Sequence, residues 1–233
     1  MCRAERKRIH ASTVEPDLGH ASAGRRTMSV SSSTPTTVTN RFRWRIVDIV
    51  VASVIGVASG LIFLAWNVGY VGPSTLLEPL LPGLQGLLDG PWLFAGVLGA
   101  LVIRKPGAAI YTELLAAVVS ALVGNQWGGF LTLEAGFVQG LGAEIIFLIF
   151  AYRVWTLPVA ILAGAGAALA GGINNLILWY AGADVTFTIV YLISTVISGA
   201  VIAGLLSWLL VRALAATGAL DAFPAGREVR QRV

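Results

Sequence analysis

The chain has 233 residues, of which 56% are hydrophobic and 12% are charged. Soluble domains carry roughly twice that charged fraction, and a core of this size could not bury so much apolar surface. The composition therefore excludes an ordinary soluble domain and predicts an integral membrane protein. The net charge of +4 does not indicate a nucleic-acid partner, because nine of the sixteen basic residues lie between Arg3 and Arg45, ahead of the first apolar segment.

Residues 1–42 form a basic, Ser/Thr-rich segment with too few apolar residues to fold alone, so we expect a disordered cytoplasmic tail. The sequence leaves open whether translation starts at Met1 or at Met28. The single cysteine, Cys2, and both histidines, His10 and His20, fall in this segment. The membrane region then has no disulfide and no His or Cys ligand for a metal, and we expect neither a metal site nor a cofactor.

Six apolar segments follow, separated by connections that contain Gly, Pro or charged residues. They predict an all-α integral membrane protein, a bundle of about six transmembrane helices over residues 43–215, followed by a cytoplasmic tail, 216–233. The second segment alone is too short to cross about 30 Å of hydrocarbon, so its helix could begin earlier. The predicted helices cover 46–68, 91–103, 108–123, 131–151, 155–180 and 185–214.

The positions of the basic residues predict the orientation of this bundle. With a cytoplasmic N-terminus, the connections 69–90, 124–130 and 181–184 face outside, and none of them contains Lys or Arg. Every basic residue then lies on the cytoplasmic side, as the positive-inside rule requires. We therefore expect a multi-pass protein of a prokaryotic cell membrane with both termini in the cytoplasm.

Four acidic residues lie inside predicted helices, where an ionisable group costs about 2.5–3.5 kcal/mol on insertion scales. Asp48 lies next to two arginines, and a local salt bridge explains it. Glu134 lies one turn from the outer end of its helix, within reach of water. Glu113 and Glu144 lie nearer the middle of the membrane with no basic residue at that depth. Each is either protonated and bonded to a neighbouring helix, or available to a cationic ligand.

Aromatic and amide side chains gather toward the outer side. Trp66 and the other aromatic residues at the outer ends of the predicted helices can form an interfacial belt. Trp127, in contrast, lies in a Gly-rich turn, away from a helix flank. The amides can bind a ligand or bond helices together. An aromatic face next to carboxylates would suit a flat, cationic, hydrogen-bonding ligand. The candidate substrate-binding residues are Trp66, Glu113, Trp127, Gln139, Glu144, Asn174 and Asn175.

Small residues recur at every fourth position of the first helix, at Ala52, Gly56 and Gly60. Such a stripe lets another helix approach closely. The approaching helix can belong to a partner protein or to the same chain, and the sequence leaves both possibilities open.

Several classes of protein lack support in the sequence. No Walker-type phosphate loop and no Gly-x-Ser-x-Gly motif occurs, so the chain carries no ATPase motif of its own and no sign of an enzyme. The sequence also contains no internal repeat of the kind found in inverted-repeat transporters.

The order and spacing of several motifs resemble those of a known family. The motifs are Arg104-Lys105-Pro106-Gly107-Ala108-Ala109, Glu113, Gly124-Asn125-Gln126-Trp127-Gly128, Gln139-Gly140 and Glu144. Over about residues 42–215 the chain resembles the YkoE-type family of S components, the substrate-binding membrane subunits of energy-coupling factor (ECF) ABC transporters.

The resemblance implies uptake of thiamin or its hydroxymethylpyrimidine (HMP) precursor, with a transmembrane coupling subunit and cytoplasmic ATPase subunits as partners. It also implies that the Ala52/Gly56/Gly60 stripe contacts the coupling subunit, and that the S component topples in the membrane to deliver its ligand. Other hypotheses stay open: an S component for another vitamin, a stand-alone proton-coupled carrier using Glu113 or Glu144, or a membrane structural or assembly protein without a ligand. A metal-ion substrate is disfavoured by the absence of His and Cys from the membrane region.

Overall fold

The computed structural model describes residues 42–230, and they form helices joined by short turns. The predicted tail at residues 1–42 therefore lies almost wholly outside the described residues. The helices are α1 (Ile46–Gly69), α2 (Val71–Leu77), α3 (Phe94–Ile103), α4 (Ala108–Val123), α5 (Gly129–Ile149), α6 (Leu157–Leu178), α7 (Val185–Ser198), α8 (Ser207–Ala216) and α9 (Pro224–Arg230). A π-helical segment, Gly199–Leu206, joins α7 and α8 into one continuous helix of 32 residues.

Four of these helices are long and apolar enough to cross a membrane: α1, α5, α6 and the continuous α7–α8 helix. Two shorter apolar helices, α3 and α4, lie between them. At 1.5 Å per residue the ten residues of α3 span about 15 Å, half of the hydrocarbon thickness. The all-α membrane bundle is confirmed, and five of the six predicted helices begin and end within two residues of the observed bounds.

The short helix α3 lies at the centre of the bundle. Every residue from Ala95 to Ile103 is buried, and α1, α4, α5, α6 and α8 all pack against it. Around it the other helices pack in chain order, α1 on α4, α4 on α5, α5 on α6, and α6 on the α7–α8 helix. A helix that is apolar on all sides is typical of such a buried position.

The small-residue stripe of α1 packs against α4 of the same chain. Ala52, Gly56 and Gly60 are buried, and a Cβ atom at Gly60 would lie 2.6 Å from the Cβ of Val119 and 2.7 Å from the carbonyl oxygen of Ala116. The stripe allows close approach, and in this structure the helix that approaches is α4. The contact of this stripe with a coupling subunit stays a prediction.

The predicted outer connection 69–90 is an inward-folded segment. After α2 it forms two short 3-10 turns, Leu84–Leu88 and Gly90–Trp92, which pack against α7 and the π-helical segment. Gly83 starts the first turn with φ of +98°, a backbone conformation that other residues rarely adopt. The segment places the side chain of Asp89 inside the bundle, where only 8% of the residue is exposed.

Ionic contacts stabilise the end of the bundle that lies opposite the inward-folded segment. The carboxylate of the buried Asp48 pairs with Arg45, at 3.0 Å, and with Lys105 from the α3–α4 turn. The local salt bridge expected for Asp48 is thus present, and Lys105 joins it. The last described residues also pack against this end, because Leu220, Phe223 and Ala225 are buried and α9 contacts α3 and α8.

Candidate ligand-binding site

A cavity of about 320 Å³ opens near the C-terminal ends of α1, α4 and α6, the N-terminal half of α5 and the middle of α7. The inward-folded segment closes one of its sides. Its volume falls within the range of about 300–1,000 Å³ that is usual for small-molecule sites. The side chains with polar atoms or aromatic rings in its wall are Phe63, Asn67, Tyr70, Asp89, Trp92, Glu113, Ser120, Trp127, Thr132, Gln139, Asn175, Trp179, Tyr180, Tyr191 and Thr195.

Glu113 supplies a carboxyl group whose hydrogen bonding is incomplete. It lies on α4, and only 1% of the residue is exposed. Its Oε2 accepts a hydrogen bond of 2.6 Å from the backbone N–H of Gly96, while Oε1 has no hydrogen-bond partner within the described residues. Buried carboxyl oxygens are rarely left without a partner, so Oε1 is an acceptor that a bound ligand can use.

Asp89 supplies a second carboxyl group, held by a chain of hydrogen bonds. Its Oδ2 accepts bonds from the hydroxyls of Tyr191, at 2.7 Å, and Thr195, at 3.1 Å. The Tyr191 hydroxyl in turn accepts a bond of 2.8 Å from the amide of Asn175. Asp89 lies in the connection before α3, and burial raises the pKa of its carboxyl group to about 6, against the lowering effect of the two hydroxyl bonds.

Four aromatic rings form one wall of the cavity. Ring centroids are 5.1 Å apart for Tyr70 and Trp92, 6.0 Å for Trp92 and Trp127, and 6.1 Å for Trp127 and Trp179. The buried Asn67 orients two of the rings, because its Oδ1 accepts bonds from the indole N–H groups of Trp92, at 2.8 Å, and Trp127, at 3.3 Å.

The charge of the wall favours a cationic ligand. Among the described residues that line the cavity, two are acids, Asp89 and Glu113, and none is Lys or Arg. Aromatic faces attract cations through the quadrupole of the ring, by about 0.5–2 kcal/mol depending on desolvation. The site therefore combines hydrogen-bond acceptors, an aromatic wall and negative charge.

The structure brings four of the seven candidate residues to this cavity: Glu113, Trp127, Gln139 and Asn175. Gly171 of α6 leaves room for Gln139, since a Cβ there would lie 2.9 Å from the Cγ of Gln139. The other three candidates lie outside the wall. Trp66 donates to the carbonyl of Leu88, at 3.0 Å, and supports the inward-folded segment.

Asn174 and Glu144 also have other partners. The Asn174 amide donates to Glu134 at 2.9 Å. Glu144 accepts bonds from the backbone N–H groups of Gly107, at 2.6 Å, and Ala109, at 2.9 Å, and from the hydroxyl of Tyr152, at 2.6 Å. Its carboxylate therefore accepts hydrogen bonds from the backbone at the start of α4, and Glu144 does not line the cavity.

Sequence reasoning missed several residues of the wall. Asp89 belongs to a connection rich in Gly and Pro, where an acidic residue is ordinary, and nothing in its spacing indicates burial. Asn67 and Tyr191 likewise have no motif. The tryptophans and tyrosines near the outer helix ends did carry a signal, but an interfacial belt explains the same composition.

A multi-pass helical bundle with a solute-sized cavity at one end has the architecture of a membrane protein that binds a small molecule. The family model described as "ABC-type cobalt transport system, permease component" matches residues 47–170. The putative HMP/thiamine permease protein YkoE of Bacillus subtilis (strain 168) is 35% identical over 196 residues, which cover 81% of this chain and 94% of YkoE.

A solved crystal structure of an S-component of an ECF transporter has the same fold, with a TM-score of 0.74 at 34% identity, covering 82% of this chain and 95% of that one. The chain belongs to the family of ECF transporter S-components. It is a permease subunit and not an enzyme, and membership of the family implies an ECF module as partner and a small molecule as substrate. Within residues 42–230, no group of three or more His, Cys, Asp or Glu side chains is arranged to hold a metal ion.

Proposed function

We propose that this S-component captures thiamin or its hydroxymethylpyrimidine precursor for uptake. The observation that carries the proposal is the cavity itself, in which the unpartnered Oε1 of Glu113 and the carboxylate of Asp89 lie in a wall with four aromatic rings. The name of the B. subtilis relative, a putative HMP/thiamine permease, supports the same ligand class.

The chemistry of these ligands matches the chemistry of the wall. An aminopyrimidine offers an edge of alternating donors and acceptors, which a carboxyl group such as Glu113 and an amide such as Gln139 can bind. The thiazolium ring of thiamin is a flat cation, and Trp92, Trp127 or Trp179 offers a face on which it can stack. Asp89 adds a negative charge on the side of α7.

We further propose six membrane crossings, with both termini in the cytoplasm of a prokaryotic cell. The absence of Lys and Arg from the connections 69–90, 124–130 and 181–184 supports this orientation. The cavity then opens to the outside, near the ends of α1, α4 and α6. A transmembrane coupling subunit and cytoplasmic ATPase subunits would provide the energy, because the chain has no phosphate-binding loop of its own.

Binding by the purified full-length chain in detergent tests the ligand. Thiamin and hydroxymethylpyrimidine are titrated separately while tryptophan fluorescence is recorded, since three tryptophans line the cavity. We expect saturable binding of at least one of the two. Glu113→Gln should weaken it about tenfold or more, because the amide replaces one carboxyl oxygen with an NH₂ group that cannot accept a hydrogen bond.

Glu78→Gln is the matched control, because Glu78 is an exposed acid of the outer connection and does not line the cavity. It should bind as the unmodified chain does. A chain whose fluorescence and melting temperature respond to neither ligand would contradict the proposed ligand. Equal effects of Glu113→Gln and Glu78→Gln would contradict the role of Glu113.

A further inference from the structure

A second cavity, of about 290 Å³, lies at the opposite end of the bundle. It is enclosed by the C-terminal end of α3, the N-terminal end of α6, and α8 and α9. Leu101, Leu157 and Val211 contribute apolar surface, while two arginines, two tryptophans and Glu228 contribute the polar and aromatic surface. Nothing in the capture of a ligand in the first cavity requires this second one.

Arg104 is fixed at the edge of this cavity by three contacts. It ends α3 in a left-handed conformation, with φ of 56°, and its Nε donates to the carbonyl of Leu101 at 3.3 Å. Its guanidinium lies 5.6 Å from the centre of the Trp155 ring and pairs with the carboxylate of Glu228 at 2.9 Å. The guanidinium of Arg104 is thus held in place, and the carboxylate of Glu228 already binds to it.

Arg212 provides a second guanidinium to the same cavity. Its Cζ lies 4.7 Å from the centre of the Trp208 ring, a cation–π distance. The described residues of the wall therefore include two arginines and one acid, an excess of one positive charge. Thr156 and Leu157, the N-cap and first residue of the 22-residue helix α6, also line the cavity, and the start of a helix adds positive potential.

We propose that this second cavity binds a phosphate group, carried by an anionic phospholipid headgroup or by a soluble phosphate. Guanidinium groups bind phosphate oxygens through paired, charge-assisted hydrogen bonds. The apolar residues beside them suit the glycerol and upper acyl carbons of a lipid. Glu228 occupies Arg104 as an internal anion, so an incoming phosphate displaces it.

Two probes distinguish the sources of the phosphate. The purified full-length chain is delipidated in detergent and titrated with phosphatidylglycerol, and bound lipid is counted by native mass spectrometry. In parallel it is titrated with inorganic phosphate, and the melting temperature is recorded. Phosphatidylglycerol adducts without a response to phosphate identify a lipid site, and the converse identifies a soluble phosphate; either result supports the proposal.

Three variants connect the binding to these residues. Arg104→Gln/Arg212→Gln should weaken binding of the responding probe about tenfold or more. Arg153→Gln, which removes an exposed arginine outside the cavity, should leave it unchanged. Glu228→Gln should strengthen binding several-fold, since the internal competitor for Arg104 is removed.

The proposal is overturned if neither probe binds the unmodified chain, or if the double variant binds as Arg153→Gln does. If the double variant does not fold, Glu228→Gln decides alone, because a merely structural ion pair predicts no gain in affinity when it is broken. Unchanged or weaker binding by Glu228→Gln would then overturn the proposal.

Discussion

Glu113 and Asp89 bring two carboxyl groups into the wall of one cavity, whose described lining contains no Lys or Arg. The two side chains are held differently. Asp89 receives two hydroxyl bonds, whereas Glu113 receives one backbone bond and leaves Oε1 open. An acid at such depth costs about 2.5–3.5 kcal/mol to insert, and a cationic or hydrogen-bonding ligand offsets part of that cost.

Glu144 shows why a buried acid need not bind a ligand. Its three hydrogen bonds satisfy the backbone at the start of α4 and the Tyr152 hydroxyl. The sequence places Glu144 inside an apolar helix, but it does not reveal that the backbone of the α3–α4 turn lies at the same depth in the bundle as Glu144. This position of the turn depends on the packing of α3 inside the bundle, which is a tertiary feature.

Glu144→Gln should lower stability and leave ligand binding nearly intact. A glutamine amide group can accept with only one of its two polar atoms, so a backbone N–H of Gly107 or Ala109 loses its acceptor, at a cost of about 1–3 kcal/mol. Denaturant or thermal melting in detergent measures the loss, and fluorescence titration measures affinity for thiamin. The prediction is contradicted if the Glu144→Gln protein folds but its affinity for thiamin falls as far as that of Glu113→Gln. Glu144 would then take part in ligand binding.

At the scale of the elements, the sequence predicts helices well because their ends carry local signals. The run Arg104-Lys105-Pro106-Gly107 ends one helix and begins the next, and α4 has the predicted bounds. The segment before α3 is different. Its Gly and Pro residues indicate a connection, but they do not indicate that the 3-10 turns fold inward and deliver Asp89 to the cavity.

The stripe of small residues on α1 illustrates the same limit. Spacing of four predicts close packing of two helices, and the structure has close packing between α1 and α4. The identity of the second helix is a matter of tertiary arrangement, so the periodicity alone could not separate a partner protein from α4.

Gly60→Ala should destabilise the fold by about 1–3 kcal/mol, because the new Cβ would lie 2.7 Å or less from Val119 and from the Ala116 carbonyl. Gly72→Ala is the matched control, since a Cβ at Gly72 meets nothing within 4 Å. Thermal melting of both proteins in the same detergent checks the prediction. Equal melting temperatures for the two variants would show that α1 and α4 do not pack as described.

At the scale of the whole molecule, the two cavities lie at opposite ends of the bundle and differ in charge. Among the residues that the structure describes, the wall of the first has two acids and no Lys or Arg, and the wall of the second has two arginines and one acid. The distribution of Lys and Arg along the chain agrees with this polarity, because the helix connections beside the first cavity contain none.

The proposed orientation predicts which end a membrane-impermeant thiol reagent reaches. In a Cys2→Ser background, single cysteines replace Ala183, between α6 and α7, or Thr217, after α8; both residues are exposed. The cysteine at 183 should be labelled in intact cells, and the cysteine at 217 only after the membrane is permeabilised. The reverse pattern would invert the orientation and place the first cavity on the cytoplasmic side.

The central claim, that the first cavity holds a pyrimidine vitamin or its precursor, is tested most directly by identifying the small molecules that copurify with the chain. Mass spectrometry of denatured extracts should detect thiamin or hydroxymethylpyrimidine in the unmodified protein, and much less in an Asp89→Asn/Glu113→Gln variant purified in parallel. The account is contradicted if neither compound is detected in the unmodified protein, and if that protein instead retains a different small molecule that the variant lacks.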